Sequence, residues 1–109
     1  MKKGLIDNND ISIRETQDFH RDLDKEKRFD TDIVRNIAYL TAEVGEAMNA
    51  IRALKSASTE PEIKEAKRQV SFELADCLAY IAKLANYADV DLQEAYREKM
   101  KINSDRSWN

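Results

Sequence analysis

The chain has 109 residues, 42% hydrophobic and 36% charged, with two glycines, one proline and a formal charge of -3. That length suits one compact domain rather than two, and scarce Gly and Pro beside abundant Ala, Leu, Glu, Lys and Arg argue against a β-rich fold. The acidic balance argues against a broad polyanion-binding face, so no nucleic-acid polymer is expected as a partner. A single cysteine, Cys77, excludes an intramolecular disulfide and a cysteine-rich zinc site. With no apolar leader core and no charge-free stretch of membrane length, a cytoplasmic protein without a membrane partner is expected.

Residues 1–11 carry few periodic apolar positions and are expected to form a flexible leader before a single domain over 12–109. Ser12 and Glu15 read as a capping box that opens a first helix reaching about Arg28, with Ile13, Phe19, His20 and Leu23 as its inner-face candidates. The break at Phe29-Asp30-Thr31-Asp32 caps a second helix from Ile33 to about Lys55. Its apolar stripe is Ile33, Ile37, Leu40, Val44, Ala47, Ile51 and Leu54, at helical spacing. Gly45 interrupts it at a cost of about 1 kcal/mol relative to Ala, which predicts close approach by another helix there.

Thr59, Pro61 and Glu62 open a third helix to about Ala88, with Val70, Leu74, Cys77, Ile81, Leu84 and Ala88 along its seam. Asp91 and Glu94 start a last helix that ends near Ser104. The expected class is all-α, a bundle of four to five helices.

Two acidic phrases stand inside these stripes, Glu43-Val44-Gly45-Glu46 and Glu73-Leu74-Ala75-Asp76. Carboxylates three residues apart leave a helix on one side, and here that side also carries Tyr39, Leu40 and Ala50, or Val70, Cys77 and Tyr80. Four acids near a core repel one another and lose hydration, and a hard divalent cation bound by oxygen relieves both. Acidic residues number 21, so a solvated helix face is the competing account of any one pair. Ala42, Gly45, Ala47, Ala75 and Ala79 leave room beside the two phrases, which favours the metal. A ferritin-like di-iron site needs His three residues after Glu, whereas the lone His20 follows Gln17 at that spacing. Zinc lacks ligands for the same reason, leaving Mg2+, with Mn2+ as a substitute.

On the last helix Lys99, Asn103 and Arg106 recur on one face. They either complement the helix dipole or serve as donors to a phosphate chain. Tyr80, one turn beyond Asp76, is either a core aromatic or a pocket wall. His20 and Phe29 offer a base-contacting edge and a stacking face, with ordinary packing as the alternative for each.

Together these motifs resemble the MazG-like branch of the all-α nucleoside triphosphate pyrophosphohydrolases. The likeness rests on Glu43-Val44-Gly45-Glu46, on Glu73-Leu74-Ala75-Asp76 with Tyr80, and on the run from Asp91 through Lys99 to Asn103 closing with Arg106-Ser107-Trp108. It implies that Glu43, Glu46, Glu73 and Asp76 hold Mg2+ and that Lys99, Asn103 and Arg106 bind the triphosphate. His20 and Phe29 resemble base-pocket positions of the deoxycytidine triphosphate pyrophosphatases in this family. Ala42 stands where many members carry an acid, and Ala53 where that branch has a second stacking aromatic.

The implied assembly is a dimer or dimer of dimers. The implied reaction is hydrolysis of a (deoxy)nucleoside triphosphate to monophosphate and pyrophosphate in nucleotide-pool house-cleaning, with Glu46 able to act as the base. A non-catalytic nucleotide-binding or regulatory bundle, and a purely structural bundle, are the rival readings.

Overall fold

The computed structural model describes residues 3–106. It contains five α-helices, α1 (Lys3–Ile6), α2 (Ile13–Lys27), α3 (Ile33–Ser56), α4 (Glu60–Tyr87) and α5 (Leu92–Ser104), and no strand among the described residues. All four long helices begin where the capping residues predict. Ser12 Oγ accepts from Glu15 N at 3.0 Å while Glu15 Oε1 accepts from Ser12 N at 2.9 Å, a complete capping box. Asp32 and Asp91 cap α3 and α5 through Arg35 N and Glu94 N, and Thr59 exchanges bonds with Glu62 at the start of α4. Neither glycine is used to leave a helix: Arg28 (φ 55°) and Asp89 (φ 56°) take the left-handed conformation after α2 and α4. After α4, Asp89 N returns to Asn86 O at 3.1 Å and Val90 N to Ala85 O at 2.9 Å, which satisfies carbonyls that the helix end exposes.

The chain divides into two compact units, one of Asp32–Ile81 and one of Met1–Thr31 with Ala82–Asn109. The first is an antiparallel hairpin of α3 against α4 as far as Ile81. Its inner surface is made by Ala47 and Ala66, both buried, with Leu40, Leu54, Val70 and Cys77 half-buried beside them. The apolar stripe read along α3 therefore splits, because Ile33, Ile37, Val44 and Ile51 are 43 to 53% exposed, and so are Leu74 and Leu78 on α4 at 52%. One partner helix covers only about a third of a helix's circumference, less than an apolar stripe of this width requires. Gly45 corrects an expectation. A Cβ built on it would meet nothing within 4 Å, so among the described residues the close approach expected there is not made.

In the second unit α2 packs on α5 and on α1, and Ala82 and Ala85 of α4 are buried at 1% and 8% exposure. The expected inner face of α2, Ile13, Phe19, His20 and Leu23, is half-buried, while the positions that close over completely are polar, Gln17 and Asp24. Gln17 explains itself by its bonds. Its Nε2 donates to Val90 O at 2.8 Å and Asn86 Oδ1 at 3.0 Å, and its Oε1 accepts from Leu92 N at 2.8 Å. One amide thus stitches the α4–α5 corner, pairing a carbonyl and a helix-start N–H that secondary structure leaves over. Arg14 adds a rim contact, Nη2 to Asp91 Oδ2 at 2.8 Å.

Candidate active site

The acidic phrases fall at matching heights on the α3–α4 hairpin. Glu43 on α3 meets Glu73 and Asp76 on α4, one carboxylate oxygen from each lying within 4.8 Å of the others. Two oxygens on one hard cation at about 2.1–2.5 Å can be no more than about 5 Å apart, so these three groups fit a single ion. Glu43 and Glu73 are half-buried and Asp76 is exposed, giving a site with a wet side and a dry side. The Glu43 carboxyl is raised above the ordinary range, first by loss of water, then by a hydrogen bond with Glu73 and the charges of Asp76, Glu73 and Glu46. Carboxylates crowded in this way repel one another and favour the protonated form. Glu46 stands outside the triad, one turn along α3 and exposed. It lines a groove of about 710 Å³ together with Glu73, Ala50, Ala53, Ala66 and Gln69.

Tyr80 lies one turn past Asp76, its ring 6.1 Å from that of Tyr39 and tilted by 52°. Its phenol is raised by burial and then by the charges of Glu43, Tyr39 and Asp76, so it remains a hydrogen-bond donor. The Cys77 thiol is raised for the same reasons, burial first and then Glu43, Glu73 and Asp76, which keeps it protonated and inert.

In the other unit, Lys99 is exposed and Asn103 half-buried on α5. Arg106 lies past the end of that helix, in a turn closed by its N–H to Asn103 O at 3.2 Å. Ser107 and Trp108 lie outside the described residues. His20 is half-buried, edge-on to Phe19 with ring centroids 5.2 Å apart. Burial lowers its pKa, the nearby Lys83 lowers it further and Asp24 opposes them, so it is neutral near pH 7. Phe29 is 48% exposed, with Lys83 Nζ 5.2 Å from its ring centroid.

Lys83 and Asp24 are residues that the sequence reading passed over. Lys83 Nζ lies 3.3 Å from Asp24 Oδ1, with side-chain exposures of 11% and 7%, and Tyr87 donates its hydroxyl to Asp24 Oδ2 at 2.5 Å. The available signal was a lysine set between Ile81 and Leu84 in an apolar run, which calls for a buried partner.

The MazG nucleotide pyrophosphohydrolase domain matches residues 32–107. The chain belongs to that family. Among curated proteins none matches it significantly. A MazG domain is a nucleotide pyrophosphohydrolase, a hydrolase of a class generally dependent on divalent metal. The matched segment contains both acidic phrases and the Lys99–Arg106 stretch, whereas His20, Asp24 and Phe29 precede it. No helix of the described residues is long and apolar enough to cross a membrane.

Proposed function

We propose that this MazG domain hydrolyses a (deoxy)nucleoside triphosphate to the nucleoside monophosphate and pyrophosphate with Mg2+, Mn2+ serving as a substitute. The observation that carries this reading is the convergence of Glu43, Glu73 and Asp76 oxygens within 4.8 Å. A divalent ion held there would neutralise phosphate charge and lower the pKa of a water, so that its deprotonated form could attack the α-phosphorus near neutral pH. Glu43, Glu73 and Asp76 hold the ion. Glu46, the first-phrase acid left outside the triad, accepts the proton of the attacking water or completes the ligand set. Lys99, Asn103 and Arg106 are assigned to the phosphate chain, where cations and an amide offset negative charge on the leaving pyrophosphate. Tyr80 is assigned to substrate contact as a neutral donor. His20 and Phe29 are assigned to the base, one supplying a polar edge and the other a flat apolar surface.

Self-association as a dimer or dimer of dimers belongs to the same reading. The exposed Ile33, Ile37, Val44, Ile51, Leu74 and Leu78 support it, being large apolar side chains on two paired helices that a second copy would cover. Removal of unwanted triphosphates from the cytoplasmic nucleotide pool is the role this chemistry suits. The direct test is incubation with each deoxynucleoside triphosphate and Mg2+, followed by product separation. Monophosphate and pyrophosphate are expected, and a diphosphate nucleotide with orthophosphate would refute the reaction.

A further inference from the structure

Lys83 is the one buried lysine among the described residues, and the reaction assigned above makes no use of it. A buried Asp–Lys pair is a costly construction. The desolvation of both charges commonly cancels their attraction, and apolar residues of the same volume would serve stability equally well. The surroundings of this pair are those assigned to the base. The ammonium lies over the Phe29 ring, 5.2 Å from its centroid, and its charge adds to the burial that lowers the His20 pKa. Asp24 Oδ1 lies 3.3 Å from it, and Asp24 is in turn held by the Tyr87 hydroxyl.

Three chemical elements therefore meet in one unit of the chain: an aromatic ring that is half open to solvent, a neutral imidazole with one donor and one acceptor, and an ammonium that only donates. A flat ligand on the part of the Phe29 ring left open to solvent would meet the ammonium at its edge. A buried ammonium is satisfied by an oxygen acceptor and penalised by an amino group.

We propose that Lys83, positioned by Asp24, reads a ring carbonyl of the nucleobase, so that the site accepts cytosine, thymine or uracil, and guanine in preference to adenine. Adenine is the standard base that carries no carbonyl oxygen; its edges offer ring nitrogens and an amino donor. Lys83 is a specificity-determining residue that touches the base, and Asp24 is a positioning residue that acts through it. The proposal rests on the assignment of His20 and Phe29 to the base.

The test is equilibrium binding of dCTP, dTTP, dGTP and dATP to the full chain with Mg2+, with pyrophosphate release read separately. The unaltered protein is expected to bind dATP about 10-fold or more weakly than the best of the other three, as unpaired polar edges demand. In Asp24→Asn/Lys83→Met both charges leave together and neither is stranded, and the spread across the panel is expected to fall to within about 3-fold. Lys83→Arg, which keeps a donor cation, is expected to retain the order. If the unaltered protein binds dATP as well as the others, the proposal is overturned without recourse to any variant. It is overturned equally if the double variant keeps the full discrimination. Selective binding with no pyrophosphate released would defeat the assigned reaction while supporting the base reading, and binding of none of the four would defeat both.

Discussion

Gln17 and Leu92 lie 75 residues apart, yet the Gln17 side-chain oxygen accepts the first backbone N–H of α5 at 2.8 Å. The same side chain donates to Val90 O and Asn86 Oδ1. Gln17→Leu keeps the volume and removes three bonds, leaving a partly buried helix-start N–H and a carbonyl without their side-chain partner. Loss of about 2–4 kcal/mol of stability is expected, read by urea denaturation with the urea dependence unchanged. A loss under about 0.5 kcal/mol would mean that water substitutes freely at this corner.

Glu73 shares the triad with Glu43 and contributes to holding that carboxyl raised. Glu73→Gln removes a ligand charge and one source of repulsion. The variant is expected to equal or exceed the parent in stability without metal, and to lose most of the stabilisation added by Mg2+. For the parent that gain is about 2.7 kcal/mol at a hundredfold excess over Kd. Thermal melts with and without the cation, and with a chelator, measure both quantities. An undiminished gain in the variant would remove Glu73 from the ligand set.

Gly45 has open space where a side chain would sit. Gly45→Ala is expected to stabilise the isolated chain by about 1 kcal/mol, through helix propensity and a less flexible unfolded state. If the variant instead dissociates an assembly, a second copy of the chain approaches α3 at that point. Denaturation run at two protein concentrations separates the outcomes.

Ile37 and Leu78 are 51% and 52% exposed on α3 and α4. Ile37→Lys and Leu78→Glu are expected to shift sedimentation from an oligomer toward the monomer while leaving helix content unchanged, since neither substitution disturbs the hairpin's inner face. Unchanged sedimentation of both would show that these faces do not serve self-association.

His20 is held below the ordinary histidine value of 6.5, mainly by burial. The folded state therefore binds fewer protons than the unfolded state below that value. The stability attached to its neutral form is complete above pH 6.5 and is lost as pH falls toward the folded pKa. His20→Gln should flatten the pH dependence of unfolding in that window. A slope identical in parent and variant would assign it to other groups.

Much of this protein is legible in one dimension because its signals are local. Ser12 with Glu15, Asp32, Thr59 with Glu62, and Asp91 with Glu94 each satisfy helix-start N–H groups within a turn, so the starts of the four long helices are readable without the fold. The acidic phrases are readable for a similar reason, since spacing alone places paired carboxylates on one side of a helix. Periodicity was a poorer guide to burial, because a stripe records every apolar position and not which of them this chain covers. Ile37 and Val44 continue the pattern of Leu40 and Ala47, yet they remain open to water.

By itself, then, the sequence determined the all-α class, the helix starts and the candidate ligands, all of which depend on interactions spanning a few residues. Only the tertiary structure decided that Glu43 joins Glu73 and Asp76 while Glu46 stands apart, and that Lys83 finds Asp24 across 59 residues of chain. Such pairings depend on the rotation of one helix against another. That rotation is set by packing of side chains distant in sequence, and no local signal encodes it.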